Sequence, residues 1–212
     1  MKNKIYSNMF IWLFVGLLIT FGTGMYISTN GEALKKICSS SYIFLIIAEV
    51  GIAIFLSARI GKMQPTTAKI LYLLYTFISG LTFSAIFVVY NLTSIILVFG
   101  ITAVLFLIFA LIGRFLKVDL TKLGIYLLMM LIGVVICSII NIFIGNTTFD
   151  IIISVISIIV FLGFIAYDIQ KVESLEGMID DDNLAVFGAF QLYLDFINIF
   201  IDLLRLVGDS RD

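Results

Sequence analysis

Apolar residues run along this 212-residue chain in stretches of about twenty, broken by short polar segments. A run of that length reads as a membrane-spanning helix, because ~20 helical residues cross the hydrocarbon core of a bilayer. The pattern predicts seven spans, at about 9–28, 42–60, 69–90, 94–113, 123–145, 149–170 and 184–207. The breaks are STNGEALKKICSS, GKMQPTT with the only proline (Pro65), NLTS, RFLKVDLTK, GNTTFD and VESLEGMIDDDN. GNTT keeps the fifth and sixth spans from being one long helix. The expected fold is an all-α integral membrane protein, a seven-transmembrane-helix bundle forming a single transmembrane domain over 1–212. Lys2 and Lys4 before an apolar run superficially resemble a signal peptide. That run is too long for an h-region and lacks a small-residue cleavage site, so it is taken as a retained first span.

Composition agrees with this reading. Hydrophobic residues make up 62% of the chain and charged residues 13%, against about a quarter charged in a soluble domain; mean hydropathy is +1.19. A net charge of −1 with no basic block gives no reason to expect a nucleic-acid partner. Cys38, placed in a loop, and Cys137, in an apolar run, suggest no disulfide. Histidine is absent, so any pH response must come from carboxylates. With the N-terminus inside, nine of the Lys and Arg residues fall on the cytoplasmic side: Lys2, Lys4, Arg59, Lys62, Lys69, Arg114, Lys117, Lys122 and Lys171. Four fall outside: Lys35, Lys36, Arg205 and Arg211. The bias predicts a cell-membrane protein with a cytoplasmic N-terminus and an external C-terminus.

A few ionisable residues lie inside the spans: Glu49 in the second, Asp168 in the sixth, Asp195 and Asp202 in the seventh. Such a charge costs about 2.5–3.5 kcal/mol on insertion scales, so it normally faces protein or water. In the seventh span Gly188, Gln191, Asp195, Asn198, Asp202 and Arg205 recur at spacings of three and four, within about a 100° arc. The stripe reads either as a hydrogen-bonded seam holding helices together or as the wall of a polar path. Ser154, Ser157, Phe161, Phe164, Asp168 and Lys171 repeat the spacing more weakly in the sixth. Asp168 and Asp195 are equidistant from residues 180–182, so a simple hairpin turning there would set them at one depth.

Two carboxylates in contact away from water do not both ionise easily and share a proton. Unprotonated, their oxygens suit a hard cation such as Ca²⁺. Two are too few for a tight cage and suit transient passage. Arg59, near a span end, reads as a snorkelling anchor or as a removable counter-ion for the pair. Glu49, Gln191, Asn198, Asp202 and Arg205 are candidate secondary cation or polar-path residues.

GFIAYDIQKV together with FQLYLDFINIFIDLLRLVGDSRD resembles the closing part of the Bax-inhibitor-type family, the transmembrane Bax inhibitor motif proteins, particularly its small bacterial members. Asp168 in YD and Asp195 in LYLD match the family's aspartate pair, SARIGKM puts Arg59 at its latch arginine, and SGLTFSAIF resembles its third helix. The resemblance implies six helices around a central seventh and a pH-sensitive calcium leak, with Asp168 and Asp195 as sensor and ion path and Arg59 as gating counter-ion. Ca²⁺ is then the transported ion, the partners are the bilayer, Ca²⁺ and H⁺, no cofactor is tightly bound, and a monomer is expected. A Ca²⁺/H⁺ exchanger and a non-conducting interaction protein remain as alternatives. Intramembrane aspartyl proteases also pair a YD aspartate with a second one. Here that second aspartate sits in QLYLDF rather than a G-x-G-D sequence, with no Pro-Ala-Leu motif after it, so no enzyme activity is expected.

Overall fold

The computed structural model describes residues 2–38 and 41–209 and is all-α. Seven helices are long and apolar enough to cross a membrane. They are α1 (Lys2–Thr29), α3 (Ser41–Arg59), α4 (Pro65–Val89), α5 (Leu92–Phe115), α6 (Thr121–Ile144), α7 (Thr147–Ser174) and α8 (Asp181–Val207). Helices are what lipid permits, since every backbone N–H and C=O must be satisfied within the segment. The expectation of an all-α bundle of seven spans holds, and α8 is the most buried of the seven. Of its most apolar window 78% is buried, against 44% or less in the other six spans.

Several boundaries differ from those the apolar runs suggest. The first link contains a short helix, α2 (Gly31–Cys38), so Cys38 ends a helix rather than lying in a loop. Asn30 starts it by accepting the Ala33 amide. The helices also run past the apolar stretches into flanking polar residues. α7 continues to Ser174, and α8 begins at Asp181, where the Asp180 carboxylate accepts the amides of Asp182 and Asn183 at 3.0 and 3.3 Å. The acidic run 180–182 is therefore the capped start of α8 and not the turn. Between α6 and α7 only Gly145 and Asn146 intervene. Gly145 adopts φ 67°, the left-handed conformation that closes a helix. Arg211 lies outside the described residues.

The chain forms two compact units. Of the described residues, the first comprises 2–38, 41–91 and 175–193, the second 92–174 and 194–209, so α8 contributes to both. In the first unit small residues let α1 approach α4. A Cβ on Gly80 would sit 2.6 Å from the Thr23 side chain and 2.9 Å from the Thr20 carbonyl. Tyr72 hydrogen-bonds the Trp12 carbonyl, and Tyr72 and Tyr75 pack edge-on against Phe190 and Tyr193 of α8. Lys69 pairs with Asp182.

In the second unit the same device brings α7 against its neighbours. A Cβ on Gly113 would lie 2.5 Å from the Ala166 carbonyl oxygen, and one on Gly124 would lie 2.5 Å from the Tyr167 ring. Gln170 pins the α5–α6 link. Its amide nitrogen donates to the carbonyls of Leu116 and Val118, and its oxygen accepts the Leu120 amide. Phe99 and Phe106 pack on Phe196, and Phe99 also meets Phe200.

Candidate functional site: a buried aspartate pair

Asp168 stands on α7 among the buried residues Ile165, Ala166, Ile169 and Val172. Asp195 stands on α8 among Leu192, Phe196 and Ile199. Both belong to the second unit, and both are buried, at 3% and 4% exposure. The structure brings their carboxyl groups within interacting reach of one another. An ionised carboxylate only accepts hydrogen bonds, so a hydrogen bond between the two groups requires a proton on one of them. Asp195 Oδ2 is buried without a hydrogen-bond donor, a high-energy arrangement for a polar atom away from water. Lys171, one turn along α7 from Asp168, acts electrostatically on Asp195, with its Nζ 5.5 Å from the centre of the Tyr167 ring.

The pair does not meet by equal spacing from a turn. Asp168 lies six residues before the end of α7 at Ser174, whereas Asp195 lies fourteen after the start of α8 at Asp181. The offset is taken up by the six-residue link 175–180 and the capped start of α8, neither of which the hairpin rule anticipates.

Two turns further along α8 a second polar cluster forms in the same unit. Asp202, 7% exposed, is hydrogen-bonded by Ser157 and Ser154 of α7. Arg205 Nη1 donates to Asp202 at 3.3 Å and to Ser154 Oγ at 3.3 Å, and its Nε lies 3.7 Å from Asp150. Asn141 donates to Asp150 at 3.5 Å beside a cavity of about 320 Å³ between α6 and α7. Asn198, between the two clusters on α8, donates to the Leu194 carbonyl of its own helix.

The remaining sequence candidates fall in the first unit. Arg59 is the last residue of α3 and is exposed. Gln191 is half-buried and accepts a long 3.5 Å bond from Ser57. Glu49 is half-buried and bonded by Thr82 at 3.2 Å and by Ser79. Sequence reasoning missed Lys171 as a neighbour of the pair and Asp150, Ser154 and Ser157 as partners of Arg205 and Asp202. The three-residue step of Ser154 and Ser157, on the arc that carries Asp168, was the available signal.

Fold and site define a polytopic helical membrane protein with two carboxyl groups buried together on two of its spans. The chain belongs to the Bax inhibitor-type family: the family described as "Inhibitor of apoptosis-promoting Bax1" matches residues 2–212. It is 37% identical to the inner membrane protein YbhL of Escherichia coli K12, over 97% of this chain and 91% of YbhL. It is 36% identical to an uncharacterized protein of Borreliella burgdorferi, over 100% and 94% of the two chains. A Deinococcus radiodurans protein matches at 32%, over 97% and 90%.

Proposed function

We infer that this protein is a pH-sensitive calcium leak whose ion path and proton sensor are Asp168 and Asp195. The observation that carries this reading is the pair of buried aspartates on α7 and α8, with Asp195 Oδ2 left without a hydrogen-bond donor. Holding one proton, the pair bears a single negative charge. An arriving Ca²⁺ raises the electrostatic cost of retaining that proton, so cation and proton compete for the same oxygens. Two carboxylates with water and carbonyls completing the shell bind weakly enough to release the ion, as conduction requires. Lys171 competes with the cation for the Asp195 carboxylate. Asp202, Asn198 and the serines of α7 extend the polar face of α8 beyond the pair.

In this mechanism Arg59 is the counter-ion that holds the path shut at rest. Protonating the pair releases the arginine but removes the negative charge that attracts Ca²⁺, and the sign of the pH response reports which effect dominates. The protein acts as a monomer, is not an enzyme, and uses no tightly bound cofactor. Its N-terminus faces the cytoplasm and its C-terminus the outside. The test is Ca²⁺ entry into liposomes at several pH values. Wild type is expected to show a pH-dependent flux. Asp195→Asn is expected to flatten the profile and Arg59→Ala to raise the resting leak several-fold. Identical pH profiles for wild type and Asp195→Asn would overturn the reading, and a flux that collapses without a proton gradient would assign exchange instead.

A further inference from the structure

Consecutive spans alternate in direction, so the C-terminal ends of α5 and α7 reach the same face of the membrane, where α6 begins. Between these three ends lies a cavity of about 380 Å³, within the range of about 300–1,000 Å³ that accepts small ligands. Three cations line it: Arg114 in the last turn of α5, Lys117 in the α5–α6 link and Lys171 in the last turn of α7. All belong to the second unit.

Lysines and arginines at span ends are often anchors that snorkel to the interface. These differ in standing around a preformed wall. Gly113, in that wall, lets α5 meet the α7 backbone at Ala166. Gln170, also in the wall, ties the link to α7 through its hydrogen bonds to Leu116, Val118 and Leu120. Lys171 Nζ lies 5.5 Å from the centre of the Tyr167 ring, another lining residue. A fixed wall lowers the ordering cost of binding.

Two carboxylates share the cavity, and each has a partner. Asp119 accepts the Thr121 hydroxyl and amide, and Glu173 faces Arg114 Nη1 at 3.8 Å. A guanidinium has five N–H donors, so Arg114 can hold this carboxylate and a phosphate oxygen together. Three cations against two carboxylates leave a positive excess. Leu116 and Val118 line the same cavity and are exposed. A soluble anion has no use for them, whereas a lipid does. We propose that this cavity binds the headgroup of an anionic phospholipid, with Arg114, Lys117 and Lys171 on the phosphate oxygens and Leu116 and Val118 against the start of the acyl chains. The site is separate from the aspartate pair.

The test is native mass spectrometry of the full chain in detergent with added lipid, which involves no ion flux. Wild type is expected to retain phosphatidylglycerol in preference to phosphatidylcholine. Lys117→Gln/Lys171→Gln is expected to bind phosphatidylglycerol about tenfold more weakly, through the loss of two interfacial cations. Lys4→Gln/Lys62→Gln removes the same charge from exposed positions outside the cavity and is expected to bind like wild type. Equal retention of the two lipids by wild type overturns the site. Equal weakening in both double variants also overturns it, reducing the cations to general surface charge. Millimolar inorganic phosphate is expected to leave the lipid bound; displacement would assign the cavity to a soluble phosphate and overturn the lipid. If Lys117→Gln/Lys171→Gln fails to assemble, Lys117→Gln alone decides: weaker phosphatidylglycerol binding supports the proposal, and unchanged binding overturns it.

Discussion

Asp119, in the α5–α6 link outside the spans, shows how far one side chain's environment is set by its immediate neighbours. The Thr121 hydroxyl donates to its Oδ1 at 2.6 Å and the Thr121 amide donates at 2.9 Å. These two bonds, the hydroxyl first, hold the Asp119 carboxyl below its ordinary value of 3.8. A carboxylate whose pKa is depressed on folding stabilises the folded state above its ordinary pKa, and that contribution fades as pH falls through the lowered value. The start of α6 is therefore held by Asp119 at neutral pH and loosens in acid. Amide exchange at Thr121, corrected for its intrinsic pH dependence, is expected to quicken below about pH 4 in wild type. In Asp119→Ala it is expected to be fast throughout. An acid-insensitive wild-type amide would remove Asp119 from this role. The Asp168–Asp195 contact lacks this local logic. It depends on two helices meeting, and its chemistry comes from what the rest of the unit excludes.

Helix contacts in both units depend on residues that are small for a reason. At Gly113 the obstruction is backbone of α7, the Ala166 carbonyl at 2.5 Å and its Cα at 2.7 Å, and backbone cannot rotate away. Gly113→Ala must push α5 from α7, at a cost of about 1–3 kcal/mol by the usual penalty for overpacking. Gly133→Ala on α6, with nothing within 4 Å of the added methyl, is the matched control. The expected result in detergent is a lower unfolding midpoint for Gly113→Ala and an unchanged one for Gly133→Ala. Equal midpoints would show that α5 and α7 do not need this close approach. The seven spans were legible in the sequence because an unbroken apolar run of about twenty residues fits a helix that satisfies its own backbone polar groups, whereas a spanning strand is shorter and alternates. Helix ends were less legible, since Asp180 and the residues up to Ser174 are polar yet still form or cap helix once clear of the lipid. The acidic run 180–182 looked like a turn for that reason. Asp168 and Asp195 could be singled out by cost alone, but Lys171, Ser154 and Ser157 become their neighbours or Asp202's only through which helices pack together. Glu49's partner Thr82 comes from α4, which its own helix does not name.

At the scale of the whole molecule, orientation determines which compartment's pH the aspartate pair reads. Seven spans put the termini on opposite sides, so placing one link fixes the rest. With nine of the thirteen Lys and Arg residues on the side of the N-terminus, that side should be cytoplasmic. The α6–α7 link at Gly145–Asn146 is then external and the α7–α8 link around Gly177 internal. Asp168, six residues before Ser174, lies about 9 Å along the helix from the internal end of α7, so internal pH should govern the pair. Single cysteines at Asn146 and Gly177, in a chain with Cys38 and Cys137 replaced by serine, separate the two orientations in intact cells. A membrane-impermeant maleimide is expected to label position 146 and to spare position 177 until the membrane is permeabilised. The reverse pattern would place the N-terminus outside and make external pH the controlling variable. In oriented vesicles the same assignment predicts that Ca²⁺ flux follows acidification of the compartment facing Gly177 and is insensitive to the opposite one. Sensitivity only to the compartment facing Asn146 would mean that the proton reaches the pair along α8 past Asp202 and Arg205 rather than from the nearer end.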